Sequence, residues 1–355
     1  MKHICIFNGD MSQGGGTQRI SQVLANGLAE LNEYHITVLN KTNSKGECYF
    51  PLDERVVFAS LEGKTVLGWI WSLLKFVYLN KVDVLINVDV MLGIFSMPVK
   101  ILKPWMKLIS WEMFNLRNDI GTKNSKHIRK LALWLSSYYV TQSKGDMEAF
   151  KTEMPVHCPI TYIYNPCPSN PDYTDYDVNS KTIVTAGHFY YTKGYDLAVE
   201  VARIVFECHP DWRWEFYGDG VELEKIREKI KEYHLENNVI LCGRTKDITS
   251  VYKRASMYVM TSRTEGFGLV LTEAKACNLP TLAFDIDFGP REIIEEGISG
   301  YLVQNFNIQE MANKICNLIE NTEKRFDFAK KAQKNLTKFS IKQFIEAWRQ
   351  IIHYC

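Results

Sequence analysis

Short apolar runs of four to seven residues alternate with stretches of helical periodicity along this chain of 355 residues, and the pattern starts afresh near residue 181. Such alternation dictates a parallel sheet with helices on both faces: strands buried on both sides read as continuous apolar runs, while the covering helices keep one apolar stripe. In the first half the strand segments are HICIFN, HITVLN, VVFASL, VDVLINV, KLISWE, YYVTQ and ITYIYN, and helical periodicity marks 17–31, 66–80, 126–137 and 145–152. The second half repeats the pattern with KTIVTAG, WRWEFYG, NVILCG, SMYVMTS and PTLAFD, and with helices near 195–208, 221–235 and 269–278. Two doubly wound α/β units in tandem follow, and the length, too great for one core, agrees.

Between the halves, NPCPSNPDYTDYDVNSK sets Pro166, Pro168 and Pro171 among Asn, Ser and Asp, which continues neither strand nor helix. The expected division is residues 1–165 as a Rossmann-like domain, 166–180 as linker, 181–335 as a second Rossmann-like domain, and 336–355 as a C-terminal amphipathic helix. Phe339, Ile341, Phe344, Trp348 and Ile351 give that last segment an apolar face that must pack back on a domain.

A hydrophobic content of 46% with 23% charged residues excludes disorder, collagen and coiled coil, and a net charge of +1 offers no global attraction for nucleic acid. Nine cysteines, none in a CxxC pair, read as reduced core residues of a cytoplasmic protein, not as a disulfide framework or zinc site. MKHICIFNGD runs at once into the first strand, so no signal peptide is expected. The windows TVLGWIWSLLKFVYLN and VDVLINVDVMLGIFSMPV, interrupted by Lys75 or by Asp83 and Asp89, are too short or too charged to span a bilayer.

Chemistry gathers at the strand-to-helix turns. Gly14, Gly15 and Gly16 follow the first strand and precede a helix, a setting for a phosphate held by backbone N–H groups or for nothing more than a tight turn. TAGHFYYTKG offers Lys193 and Gly194 before a helix, either a cation for a diphosphate or a solvated lysine. FYGDG places Gly218, and NVILCGRT places Gly243 and Arg244, at carboxyl ends of strands, where ligand crevices of open sheets lie. In TSRTEGFGLVLTEAKACNLP, Glu265 falls in a turn and Glu273 about one turn into the next helix, on either side of Gly266 and Gly268. Helix N-termini bind phosphate and carboxylates bind sugar hydroxyls, so this segment suits a nucleotide sugar.

The succession GGG, the NP before the linker, TAGHFYYTKG, FYGDG, CGRT, SRTEGFGLVLTEAKACNLP and GPREIIEEGISGYLV resembles the retaining glycosyltransferases of family 4, which have the GT-B fold. The resemblance covers nearly the whole chain and is most specific in the second half. It implies two Rossmann-like domains facing a cleft, with the C-terminal helix packing back toward the N-terminal domain. The second domain would bind the donor and the first the acceptor, with no obligatory metal and no cofactor, since the nucleotide sugar is itself a substrate. By the same resemblance Glu273 accepts from the ribose hydroxyls, Glu265 contacts the donor sugar, and N–H groups from Gly266 through Phe267, Gly268 and Leu269 meet the sugar or the distal phosphate. Lys193 sits on the diphosphate, joined by Gly15 and Gly16, while His188, Gly218 and Arg244 complete the donor set.

Two positions depart from the family pattern. His188 stands where many members carry arginine, which weakens one phosphate cation. ISWEMFNLRND offers Trp111, Glu112 and Met113 where a histidine often lies near the reaction centre, making Glu112 or Arg117 a substitute; Glu112 is the third catalytic candidate beside Glu265 and Lys193, with structural hydrogen bonding as its other reading. The function implied is transfer of a hexose or N-acetylhexosamine, from UDP before GDP, to a glycan or lipid-linked hydroxyl in bacterial surface-polysaccharide synthesis: capsule, exopolysaccharide, teichoic acid or lipopolysaccharide. A UDP-sugar epimerase or hydrolase and a non-catalytic nucleotide-sugar-binding module are the competing readings. A nicotinamide oxidoreductase is disfavoured, since neither half has GxGxxG with a following acidic residue.

Residues 64–130 hold 11 Lys and Arg against 4 Asp and Glu, a net of +7, interleaved with tryptophans. That composition suits either an aromatic core helix with a solvated lysine face or peripheral docking on the inner face of the cell membrane, with Lys100, Lys103 and Lys107 as contacts.

Overall fold

A computed structural model describes residues 1–44, 46–118, 124–167 and 176–355. Most of the expected linker, 168–175, lies outside the described residues. The chain forms two compact units, Met1–Pro166 with Ser340–Cys355, and Cys167–Phe339.

In the first unit all seven apolar runs become strands: β1 (Lys2–Asn8), β2 (Tyr34–Asn40), β3 (Val56–Ser60), β4 (Val84–Val88), β5 (Lys107–Trp111), β6 (Tyr138–Thr141) and β7 (Ile160–Tyr162). They pair in parallel in the order β3-β2-β1-β4-β5-β6-β7. Right-handed crossovers dictate where the helices go. The connections from β3 to β4, β4 to β5 and β5 to β6 put helices Val66–Leu79, Gly93–Leu102 and Ser125–Leu135 side by side on one face, and Gly16–Glu30 lies on the other. Gly93–Leu102 was not expected, because Pro98 inside it interrupts the helical signal.

The C-terminal helix, Ile341–Tyr354, packs on the first unit. Trp348 is 0% exposed and meets Trp111 edge-on at 4.7 Å between centroids. Gly27 lies so close that a Cβ there would stand 2.4 Å from Ile345. Arg349 pairs with Glu33 at 2.7 Å, and Lys2 donates to the Ile352 carbonyl at 3.0 Å. Burying each large apolar side chain is worth about 1.5–3 kcal/mol, so this face outweighs the exposed ion pair in holding the helix.

The second unit contains β8 (Thr182–Ala186), β9 (Arg213–Tyr217), β10 (Val239–Gly243), β11 (Met257–Met260), β12 (Thr281–Phe284) and β13 (Gly300–Val303). These pair in parallel in the order β10-β9-β8-β11-β12-β13. The short β13 and helices Ile308–Glu320 and Thr322–Lys331 are additions to the sequence reading. Trp214, Phe216, Val259, Leu282 and Phe284 build the core between sheet and helices. The order reverses between β8 and β11, and this switch point positions the candidate site.

Candidate active site

Because β8 and β11 are hydrogen-bonded neighbours, the turns that follow them emerge together at the carboxyl edge of the sheet. The turn after β8 ends in Lys193 and Gly194; the turn after β11 carries Glu265. The Lys193 Nζ donates to both carboxylate oxygens of Glu265, at 2.8 Å each. The lysine side chain is 30% exposed and the glutamate 8%, so the pair sits at a partly dry mouth and not in free solvent. Ser262 Oγ donates to the same carboxylate at 2.6 Å. An ammonium has three N–H donors, so pairing with Glu265 uses two and allows a third toward an incoming oxyanion.

Residues outside the expected set fasten the two turns to each other. Arg263 forks onto Asp196 at 2.7 and 2.6 Å, donates to the Tyr191 carbonyl at 2.9 Å, and lies 4.0 Å over the Tyr191 ring. Its own N–H donates to the Thr192 carbonyl at 2.7 Å, and Thr261 Oγ1 donates to the Gly194 carbonyl at 2.8 Å. Gly194 is held at φ +64°, and a Cβ there would stand 2.0 Å from the Thr261 carbonyl oxygen, so only glycine lets the strands' exits approach this closely. Sequence reasoning missed Arg263 and Asp196 because a charged residue in each of two distant turns carries no signal that they meet.

The helix Leu269–Ala276 starts from Gly268, whose φ of +95° places it in glycine's range, and Glu273 lies one turn in, half-buried. Burial first, then Tyr195, Glu265 and Glu273, raise the pKa of the Tyr258 hydroxyl, so both glutamates act electrostatically on the end of β11. The Phe267 side chain is 2% exposed and packs edge-on against Phe339 at 5.4 Å, which turns it into the core. Gly266 is half-buried beside it.

The turns after β9 and β10 join this edge, with the Gly218 N–H donating to the Gly243 carbonyl at 2.9 Å and the Gly187 N–H to Tyr217 at 2.9 Å. Arg244 is exposed and 3.6 Å from Asp219. Burial, followed by the charges of Arg244 and Lys193, holds the His188 imidazole below its ordinary pKa, so the ring is uncharged at neutral pH. Sites read separately from three turns therefore lie within electrostatic reach of one another.

Gly15 and Gly16 belong to the first unit, Gly15 as the N-cap of Gly16–Glu30. Glu112 is corrected from a catalytic candidate to a structural residue. It is 0% exposed, with Arg129 donating to its two oxygens at 2.8 and 3.2 Å, Tyr139 at 2.9 Å and the Phe114 N–H at 3.2 Å. A carboxylate so buried and saturated has neither access nor lone pairs for an acceptor. Arg117, the other candidate for the histidine's place, is exposed and pairs with Glu153 at 2.8 Å. Among the described residues no group of three or more His, Cys, Asp or Glu side chains is arranged to hold a metal ion.

Residues 172–335 match the family model described as glycosyl transferases group 1. The matched segment lies within the second unit. An uncharacterized glycosyltransferase of Haemophilus influenzae is 29% identical over 363 residues, covering 99% of this chain and 100% of that protein. A poly(ribitol-phosphate) alpha-N-acetylglucosaminyltransferase of Staphylococcus aureus is 36% identical over 163 residues, 46% of this chain and 33% of that protein. The crystal structure of HepE from Anabaena in complex with UDP-glucose is similar with a TM-score of 0.83 at 17% identity, covering 100% of both chains. At that identity the likeness speaks for the fold: the chain has the GT-B fold, two Rossmann-like domains each with a parallel sheet.

One buried cation of the second unit lies apart from these turns. Lys275 is 0% exposed, and its Nζ donates to the Ile293 carbonyl at 2.7 Å and to Ser299 Oγ at 3.0 Å. Burial pushes its pKa down to about 8. Its folded value is below the unfolded one, so the stability linked to it is present above the unfolded pKa and is lost as pH falls through about 8. Relative to Lys275→Met, the wild-type domain is expected to gain about 2 kcal/mol between about pH 7 and pH 10, read by denaturant melts across that range. A flat difference would remove Lys275 as the titrating group.

Proposed function

We propose that the chain is a retaining, metal-independent glycosyltransferase of family 4 that moves a hexose or N-acetylhexosamine from a UDP-sugar to a hydroxyl of a glycan or lipid-linked acceptor. The acceptor would belong to bacterial surface-polysaccharide synthesis at the cytoplasmic face of the membrane. The observation that carries the reading is the Lys193–Glu265 pair at the switch point of the unit that contains the match to glycosyl transferases group 1. Relatives and neighbours named for transfer to poly(ribitol-phosphate) and for a UDP-glucose complex support the donor and acceptor classes.

The chemistry follows from charge. Breaking the bond between the anomeric carbon and phosphate oxygen leaves an oxocarbenium-like sugar and a nucleoside diphosphate anion. Lys193 and the N–H groups opening Leu269–Ala276 would meet that anion, and such preorganised donors lower a barrier most where water is excluded. Glu265 would hold the sugar and Glu273 the ribose, the acceptor proton passing to the departing phosphate oxygen on the same face. With His188 neutral, Lys193 carries most of the side-chain charge there.

The two glutamates separate the roles. Glu273→Ala is expected to weaken UDP binding by about ten- to a hundred-fold with turnover nearly kept, because hydrogen bonds to a charged group are worth about 1.5–3 kcal/mol. Glu265→Ala is expected to lower turnover by about a hundred-fold with UDP affinity nearly kept. Calorimetry with UDP, and product analysis after incubation with UDP-sugars and an acceptor extract, read both. Unchanged affinity and turnover in both variants defeats the proposal; an epimer or free sugar without glycoside points to the epimerase or hydrolase, and binding without turnover in the wild type points to a non-catalytic module.

A further inference from the structure

Helices that cover a sheet normally turn polar residues to water. Val66–Leu79, with the sequence VLGWIWSLLKFVYL, does not: only Leu73 and Val77 are fully buried, and Lys75 is its sole charge. Leu67, Trp71 and Tyr78, 78%, 69% and 47% exposed, stand at helical spacing with exposed Lys75 on the outward stripe. The Tyr78 hydroxyl reaches the Leu102 carbonyl of the neighbouring helix at 3.4 Å, so the apolar surface continues onto Ile101 and Trp105. The third helix of the layer, Ser125–Leu135, adds Trp134 beside exposed Lys126 and Lys130. Every tryptophan more than half exposed among the described residues, Trp71, Trp105 and Trp134, lies on this one layer.

The charge of the layer decides what covers it. Its three helices contain no Asp or Glu, whereas Lys64, Lys75, Lys81, Lys126 and Lys130 are exposed on or beside them. Two of the lysines expected to face a membrane are spoken for. Lys103 is 5% exposed and donates to the Val77 and Val82 carbonyls at 3.1 and 3.4 Å, and Lys100 donates to Pro104 and Met106 at 2.6 and 2.7 Å. What remains is an apolar, tryptophan-bearing surface whose exposed flanking charges are these five lysines against Glu62 and Asp83, a basic excess. A second copy of this surface would bring like charges together, whereas the headgroups of an anionic leaflet neutralise them while the indoles settle at headgroup depth.

We propose that the outer surface of the helix layer Val66–Leu79, Gly93–Leu102 and Ser125–Leu135 docks on an anionic lipid bilayer. Trp71, Trp105 and Trp134 insert at the interface, and Lys75, Lys126 and Lys130 attract the headgroups. This names the membrane contact within the reading of a membrane-face transferase, but it lies in the first unit and is testable without any donor chemistry. The full chain is centrifuged with phosphatidylcholine vesicles containing about three in ten phosphatidylglycerol and with phosphatidylcholine alone.

The expected result is at least about ten-fold more chain on anionic vesicles, lost in Trp71→Ser/Trp105→Ser/Trp134→Ser. Lys75→Glu/Lys126→Glu/Lys130→Glu should abolish the preference for anionic lipid. These positions are exposed, and unchanged melts with retained UDP binding show the variants folded. Equal sedimentation of wild type and tryptophan variant, or no binding to anionic vesicles, overturns the proposal. So does a wild-type dimer that the tryptophan variant converts to monomer, since the surface would then be a self-association face.

Discussion

Lys193→Ala is expected to lower turnover by about a hundred- to a thousand-fold, about 3–4 kcal/mol of barrier. The fold locks this lysine against Glu265 after β8 and β11, through Gly194, Thr261 and the Arg263–Asp196 fork, and Arg263 is itself committed to Asp196. Burial and the charges of Arg244 and Lys193 hold the His188 imidazole below its ordinary pKa, which disfavours it as a second cation. Arg244 is exposed and engaged with Asp219. Because the leaving anion gains charge as the bond breaks, losing Lys193 should act more on turnover than on donor affinity. Lys193→Arg keeps the charge and should restore part of the rate, though its planar fork fits the Glu265 contact differently. Steady-state kinetics with a UDP-sugar, alongside calorimetry of UDP binding, measure the split. Turnover within about three-fold of wild type in the alanine variant would take Lys193 out of the chemistry.

Arg129→Met is expected to destabilise the first unit by about 3–5 kcal/mol, because it leaves the Glu112 carboxylate charged in a site without solvent. Both side chains are essentially inaccessible, at 1% and 0%. Arg129 also donates to the Asn115 and Leu116 carbonyls, at 3.0 and 3.4 Å, tying the segment after β5 to the helix Ser125–Leu135. Glu112→Leu/Arg129→Met, which removes both charges, should recover much of the loss, since apolar replacements of buried pairs are often neutral. The two-unit chain makes a single melting temperature ambiguous, so hydrogen exchange in β5 and β6 is the readout. A single variant costing under about 1 kcal/mol, or a double variant no better than the single, would show that the pair is not what holds this region.

Legibility differs between the sheets and the site. The first-unit strands, β8 to β12 and most of the long helices were readable because burial on both faces imposes continuous apolar runs that local composition records. β13, Gly300–Val303, opens on a glycine, which leaves only Tyr301–Val303 as its apolar run, and Gly93–Leu102 hides behind Pro98. Gly194, Gly218, Gly243 and Gly268 were readable as turn residues because their positive φ restricts the position to glycine whatever surrounds it. Glu112 kept two readings, because nothing in ISWEMFNLRND reveals that Arg129 and Tyr139 enclose it. The covering helix Val66–Leu79 was readable as a helix, but composition left open whether its aromatics are core or exposed, since its residues are those of a buried element.

By itself, then, the sequence determined two parallel-sheet units, the strand order of chemistry along the chain, and a segment with the residue types of a nucleotide-sugar site. Those properties follow from local rules of periodicity, turn geometry and helix termini. Only the tertiary structure decided that Lys193 meets Glu265, that Arg263 and Asp196 fasten the two turns, that Glu112 is sealed in an ion pair, and which lysines of the first unit face solvent. Each of these depends on contacts between residues far apart in the chain. Such contacts exist only once the sheet order brings β8 beside β11 and β5 beside β6.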